Sequence, residues 1–273
     1  MPFYSLALNY NSTWKSENAG PHRVRFLIIT PDRETADLLF RVIQDNPRDL
    51  TERVSYDEIR RLSPQMWSWS ATGHDDHTGI QQTIVDINRG MARPKDNKSK
   101  EHLEKLRGKV TFQYVGDWTE KFLIIPHLDV PDHISGHNFC IRSKRVPDQF
   151  WHYPHANARE TKNVTLSTTE RAIFRISAEG AKDRETLMVD TDRVQLELVV
   201  VENESTQYVP VGVDPNGLLI APPKGEVKRS FPLGALFRGA FVVGYFESDR
   251  SKLFPRMVSN DDVFEGGERW ELC

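Results

Sequence analysis

The chain has 273 residues, a formal net charge of -3, and 27% charged against 38% hydrophobic residues. That composition builds a packed core and excludes both a disordered polyelectrolyte and a globally basic nucleic-acid or membrane binder. No apolar run is long enough to span a bilayer, the opening residues lack the pattern of a secretion signal, and two cysteines cannot form a disulfide framework.

An intracellular, cytoplasmic chain in a reducing compartment is expected, with Cys140 and Cys273 unpaired. The short basic clusters at residues 95–100 and 142–145 read as solvated turns, so they give no nucleic-acid signal.

Residues 3–10 alternate loosely between aromatic or aliphatic and polar positions, which suits a strand, and residues 23–29 read as a buried one. Thr30-Pro31 has the form of an N-cap with proline at the first helical position. The helix that follows places Ala36, Leu39, Phe40 and Ile43 on one face. Ser55-Tyr56-Asp57-Glu58 has the form of a capping box and predicts a short helix ended by Ser63-Pro64. Residues 66–70 set Trp67 and Trp69 on one side of an extended segment. A second box, Thr78 to Gln81, opens a helix whose apolar stripe is Ile80, Ile84, Ile87 and Met91. Ser99 caps a further helix ending at Gly108, buried through Leu103 and Leu106 alone.

After residue 108 the texture is that of strands parted by Gly, Pro and Asn turns, with no helix expected. Val194, Leu196, Leu198 and Val200 alternate, residues 137–142 read as one strand with an inert Cys140 inside it, and residues 231–246 are the most apolar stretch. That stretch reads as a central strand or hairpin, and as a self-association surface if it lies at an edge. The fold class predicted is β-rich α+β: a small mixed part, 1–108, docked on an antiparallel β-sandwich or barrel, 109–273, or one continuous domain.

The densest chemistry lies at Ser70-Ala71-Thr72-Gly73-His74-Asp75-Asp76-His77-Thr78-Gly79. Imidazoles and carboxylates crowded between glycines are one way to aim several metal ligands from one rigid loop. The structural alternative is a polar helix entry, in which Asp75 or Asp76 meets the free N–H groups of the helix after Thr78. The stretch resembles the His-x-His-x-Asp-His loop of the metallo-β-lactamase superfamily, matched by His74, Asp76, His77 and Gly79. Pro131-Asp132-His133-Ile134-Ser135-Gly136-His137 resembles a second segment of that family. The resemblance implies a metal-dependent hydrolase with His74, Asp76, His77 and His133 as ligands of zinc or another divalent cation. Thr72 stands where the family has its first histidine, Asp190 is the one echo of the later ligands, and no histidine follows His155.

The first expectation is therefore a non-catalytic binding or assembly protein acting through its β-rich surface, oligomeric, with a protein partner or a second copy as ligand and no cofactor. The metal-dependent hydrolase is the alternative.

Overall fold

A computed structural model of the chain describes residues 2–9, 25–48, 50–72, 78–115, 125, 128, 130–154, 162–181, 186–202, 204–246, 249–258 and 267–273. They form two compact units, residues 1–132 and 133–273. The class is α+β and β-rich.

The first unit runs β1 (Phe3–Asn9), β2 (Arg25–Thr30), α1 (Arg33–Asp45), β3 (Ser55–Ser63), β4 (Met66–Thr72), α2 (Gly79–Arg89), α3 (Asn97–Leu106) and β5 (Thr111–Tyr114). Its strands form one sheet in the order β3-β4-β1-β2-β5. β1 and β4 are parallel and the remaining pairs antiparallel. Ala36, Leu39, Phe40 and Ile43 of α1 are buried, as are Ile80, Ile84 and Ile87 of α2, because a 3.6-residue period gathers them on one face. Trp67 and Trp69 are buried on one face of β4, where Phe40 packs edge-on to Trp67 and Tyr56 to Trp69.

Four local expectations need correction. The cap of α1 is Asp32, whose carboxylate accepts from the Thr35 N–H at 2.8 Å, while Thr30 stays in β2. An ionised carboxylate is the better acceptor for helix-end N–H groups. Residues 55–63 are a strand, paired to β4 with two irregularities in register. Its backbone finds partners along β4, and Tyr56 buries its ring with its hydroxyl 2.7 Å from Thr83 Oγ1. Such tertiary pairing outweighs a four-residue capping signal. Met91 is 54% exposed, because Gly90 ends α2 in the left-handed region (φ 70°) before the stripe reaches it. α3 is capped by Asp96, which accepts from the Ser99 N–H at 2.7 Å, and its buried face includes His102 beside Leu103 and Leu106.

The second unit begins with β6 (His137–Phe139), β7 (Ile141–Ser143), β8 (Phe150–His152), β9 (Lys162–Asn163), β10 (Thr165–Ser167) and β11 (Phe174–Ala178). β12 (Arg193–Glu202), β13 (Ser205–Pro210), β14 (Gly212–Val213), β15 (Leu219–Ala221) and β16 (Ser230–Pro232) follow. The unit ends with α4 (Gly234–Phe237), β17 (Phe241–Phe246), β18 (Asp249–Met257) and β19 (Trp270–Leu272). Its strands form several open antiparallel sheets, and none closes into a barrel among the described residues. The largest has the order β13-β12-β11-β6, a second β10-β8-β7-β19. Trp151 is fully buried at the centre, with Phe174, Phe241 and Trp270 packed edge-on at centroid distances of 5.9, 5.4 and 5.5 Å.

Here too the chain departs from expectation. Residues 137–142 are not one strand, because β6 pairs with β11 in one sheet and β7 with β8 and β19 in another, so the chain changes sheets at Cys140. The 231–246 stretch divides among β16, the single turn α4 and the β17–β18 hairpin. Phe231, Leu236, Phe237 and Phe241 face the interior, whereas Tyr245 is 66% exposed.

Candidate functional site

His74, Asp76 and His77, together with Gly73 and Asp75, lie outside the described residues. What flanks them is described. Thr72 ends β4, its hydroxyl 3.3 Å from an Asp57 carboxylate oxygen. Gly79 begins α2, and a Cβ there would lie 2.9 Å from both the Trp69 ring and a Val54 methyl. Close packing of the helix start on Trp69 therefore requires this glycine, independently of any ligand. Thr78 makes no side-chain cap to α2.

His133 belongs to the second unit, stacked on Phe237 at a centroid distance of 5.3 Å and edge-on to Phe139. Its carbonyl accepts from the Met188 N–H at 2.7 Å. The Asp190 carboxylate takes the Arg238 guanidinium. Among the described residues no three His, Cys, Asp or Glu side chains converge as a metal site would require.

Two polar clusters gave little sequence signal. In the first unit, Arg61, with 4% of its side chain exposed, donates to Asp37 and to Asp132 Oδ1 at 2.6 Å, its guanidinium carbon 5.4 Å from the Phe40 centroid. Arg33 joins them, donating to Asp37 Oδ2 at 3.2 Å and to the Pro131 carbonyl at 2.6 Å. Burial raises the Asp37 pKa, and the Arg61 and Arg33 charges pull it back. The sequence shows only the Arg33–Asp37 pair, through its i,i+4 spacing. The network tethers residues 131–132, a structural task.

The other cluster lines a cleft of about 430 Å³ in the second unit. It forms where β12 outruns its neighbour among the described residues. The β11–β12 ladder pairs Phe174 with Leu198, and its last bond runs from the Val199 N–H to the Ile173 carbonyl at 2.9 Å. One residue earlier the neighbouring chain turns away, the Ala172 N–H bonding the Trp151 carbonyl at 2.9 Å. Main-chain polar groups of a strand alternate in direction, so Val201, two residues after Val199, turns its N–H and C=O toward the cleft. On its other side β12 pairs with β16 over Arg193–Gln195 and with β13 over Glu197–Glu202, as far as Glu202 opposite Ser205.

The cleft is lined by both apolar and charged side chains. Val201 is 70% exposed and Ile173 45%. His152 Nε2 lies 3.2 Å from a Glu170 carboxylate oxygen, whereas exposed Arg171 has no carboxylate in ion-pair reach among the described residues. Nothing in the periodicity of residues 194–200 reveals the cleft, because it depends on where β11 begins.

No protein-family model matches the chain and no curated protein matches its sequence, so the metallo-β-lactamase resemblance rests on the matching positions themselves.

Proposed function

We propose that the chain is a non-catalytic binding protein that takes up an extended polypeptide segment by strand addition beside β12. The observation that carries this reading is the end of β12, which no strand among the described residues accompanies on this side and whose Val201 N–H and C=O open into the cleft beside exposed apolar side chains. An extended backbone offers alternating acceptors and donors at the spacing such an edge requires, and side chains of alternate residues fill the cleft. Ile173 and Val201 favour an apolar residue in the ligand, and Arg171 favours a carboxylate next to it.

The test uses a displayed library of unstructured peptides, followed by fluorescence polarisation on a synthetic peptide it selects. Val201→Pro removes the cleft-facing N–H while sparing the β13 side, and Ile173→Lys places a charge on the apolar wall. Each should weaken binding about tenfold, as expected for one main-chain hydrogen bond or one apolar anchor. Arg171→Glu should abolish a preference for acidic peptides. Selected peptides that bind all three variants as tightly as the parent chain would refute the proposal. Sedimentation of the free chain and of Val201→Pro tells whether a second copy is itself an occupant.

A further inference from the structure

Cys140 occupies the point where the chain passes from one sheet to another, between β6 and β7. β19 pairs with β7 in a register that sets Leu272 opposite Ile141, and the next pair along is Cys273 opposite Cys140. These two residues exchange both main-chain bonds, the Cys140 N–H to the Cys273 carbonyl at 2.7 Å and the Cys273 N–H to the Cys140 carbonyl at 3.0 Å. Such a pair holds its Cα atoms about 5.5 Å apart with both side chains on one face; that Cα spacing is inside the range a disulfide spans, and the Cβ atoms must draw together by about 1 Å as the bond closes. The Cys273 sulfur already lies 3.6 Å from the Cys140 carbonyl oxygen, and both residues are half-buried, within reach of a small oxidant.

We propose that Cys140 and Cys273 are a redox modification site, closed by hydrogen peroxide or an oxidised low-molecular-weight disulfide into a reversible intrachain disulfide. The Cys140 thiolate attacks one peroxide oxygen, the O–O bond breaks, and the departing hydroxide takes a proton to leave as water. The Cys273 sulfur then attacks the Cys140 sulfenic acid, the S–O bond breaks, and a second water leaves with the Cys273 proton. Two thiols give up two electrons and the peroxide accepts them. With a disulfide oxidant the same electrons pass by two successive exchanges. The Cys273 thiol, hydrogen-bonded beside it, and the Arg171 charge hold the Cys140 thiol down at about 6, despite the opposing effect of burial, so the attacking group is Cys140. The bond ties β19, which carries Trp270 into the core, to the junction of two sheets.

The experiment treats the full chain with hydrogen peroxide, or with oxidised glutathione, and follows intact mass and the non-reduced peptide map. The expected result is loss of two hydrogens, one linked peptide pair containing Cys140 and Cys273, a higher thermal midpoint and full reversal by dithiothreitol. Cys273→Ser should lose the mass change and instead leave Cys140 as a sulfenic acid that dimedone labels. A parent chain that keeps two alkylatable thiols, links only to a second chain, or carries Cys140 onward to sulfinic acid with Cys273 untouched would overturn the proposal.

Discussion

Replacing Arg61 with methionine keeps most of the side-chain volume and removes the guanidinium from the first unit's buried ion-pair network. Arg61 and Asp37 have 4% and 6% of their side chains exposed, so solvent screens the pair little. Breaking a buried pair from one side costs about 3–5 kcal/mol, chiefly because the remaining charge stays buried. Asp37 retains Arg33 at 3.2 Å, and Asp132, which keeps Arg33 at 3.9 Å, is already 19% exposed. The expected loss therefore falls at the lower end, about 3 kcal/mol. Removing both charges as Arg61→Met with Asp37→Leu should cost about 2 kcal/mol less than the sum of the single changes, since the buried Asp37 carboxylate is no longer stranded beside the deleted cation. Because the chain has two units, the assay is urea-dependent hydrogen exchange read on peptides from α1 and β3, which isolates the first unit's transition. A loss below about 1 kcal/mol for Arg61→Met, or strict additivity in the double variant, would show that the network contributes little.

Gly217→Ala should destabilise the second unit by more than about 2 kcal/mol, measured as a fall in its thermal midpoint. Gly217 sits at φ 84°, and a Cβ would meet the Met257 carbonyl oxygen at 2.1 Å, where the Met257 N–H also bonds the Gly217 carbonyl. Asp96→Ala should cost about 1 kcal/mol by stripping the cap of α3. The Ser99 N–H and hydroxyl hold the Asp96 carboxyl below its usual range. The folded pKa lies below the unfolded one, so this contribution is complete above pH about 4 and fades as pH falls through the folded value. Urea midpoints of the parent and Asp96→Ala chains should converge in acid, and a constant difference down to low pH would contradict it. Iodoacetamide should alkylate Cys140 at a lower pH than an ordinary thiol, and that difference should shrink in Cys273→Ala, which removes the hydrogen-bond donor.

The legible parts of the fold are those where one physical signal is repeated along the chain. The stripes of α1 and α2, the paired indoles of β4 and the alternation of β12 each state a buried face several times over, and the structure buries them except for exposed Met91, beyond the end of α2, and half-buried Val200. The misread parts hang on a single local signal. Ser55-Tyr56-Asp57-Glu58 satisfies a helix cap on paper, but the backbone there pairs with β4. Asp32 and Asp96 cap α1 and α3 ahead of the hydroxyls at Thr30 and Ser99, a contest between neighbouring acceptors that spacing alone leaves open.

The candidate sites divide in the same way. The dense polar stretch at 74–77 stands out in the sequence because its residue types are conspicuous. The cleft beside β12 does not, because open strand backbone has no residue signature. Gly79 illustrates the difference: within the motif it reads as a hinge for ligands, and in the fold it is the residue that lets α2 start against Trp69.

By itself, then, the sequence determined the β-rich α+β class, the two amphipathic helices α1 and α2 and the apolar faces that make the core, since periodicity and side-chain chemistry are properties of the chain. Only the tertiary structure decided that β3 is a strand, that the chain changes sheets at Cys140, that Cys273 lies opposite it, and that β12 ends in an open cleft. Each of those depends on which distant backbone supplies the partner for a given N–H and C=O, and every residue but proline carries the same two groups.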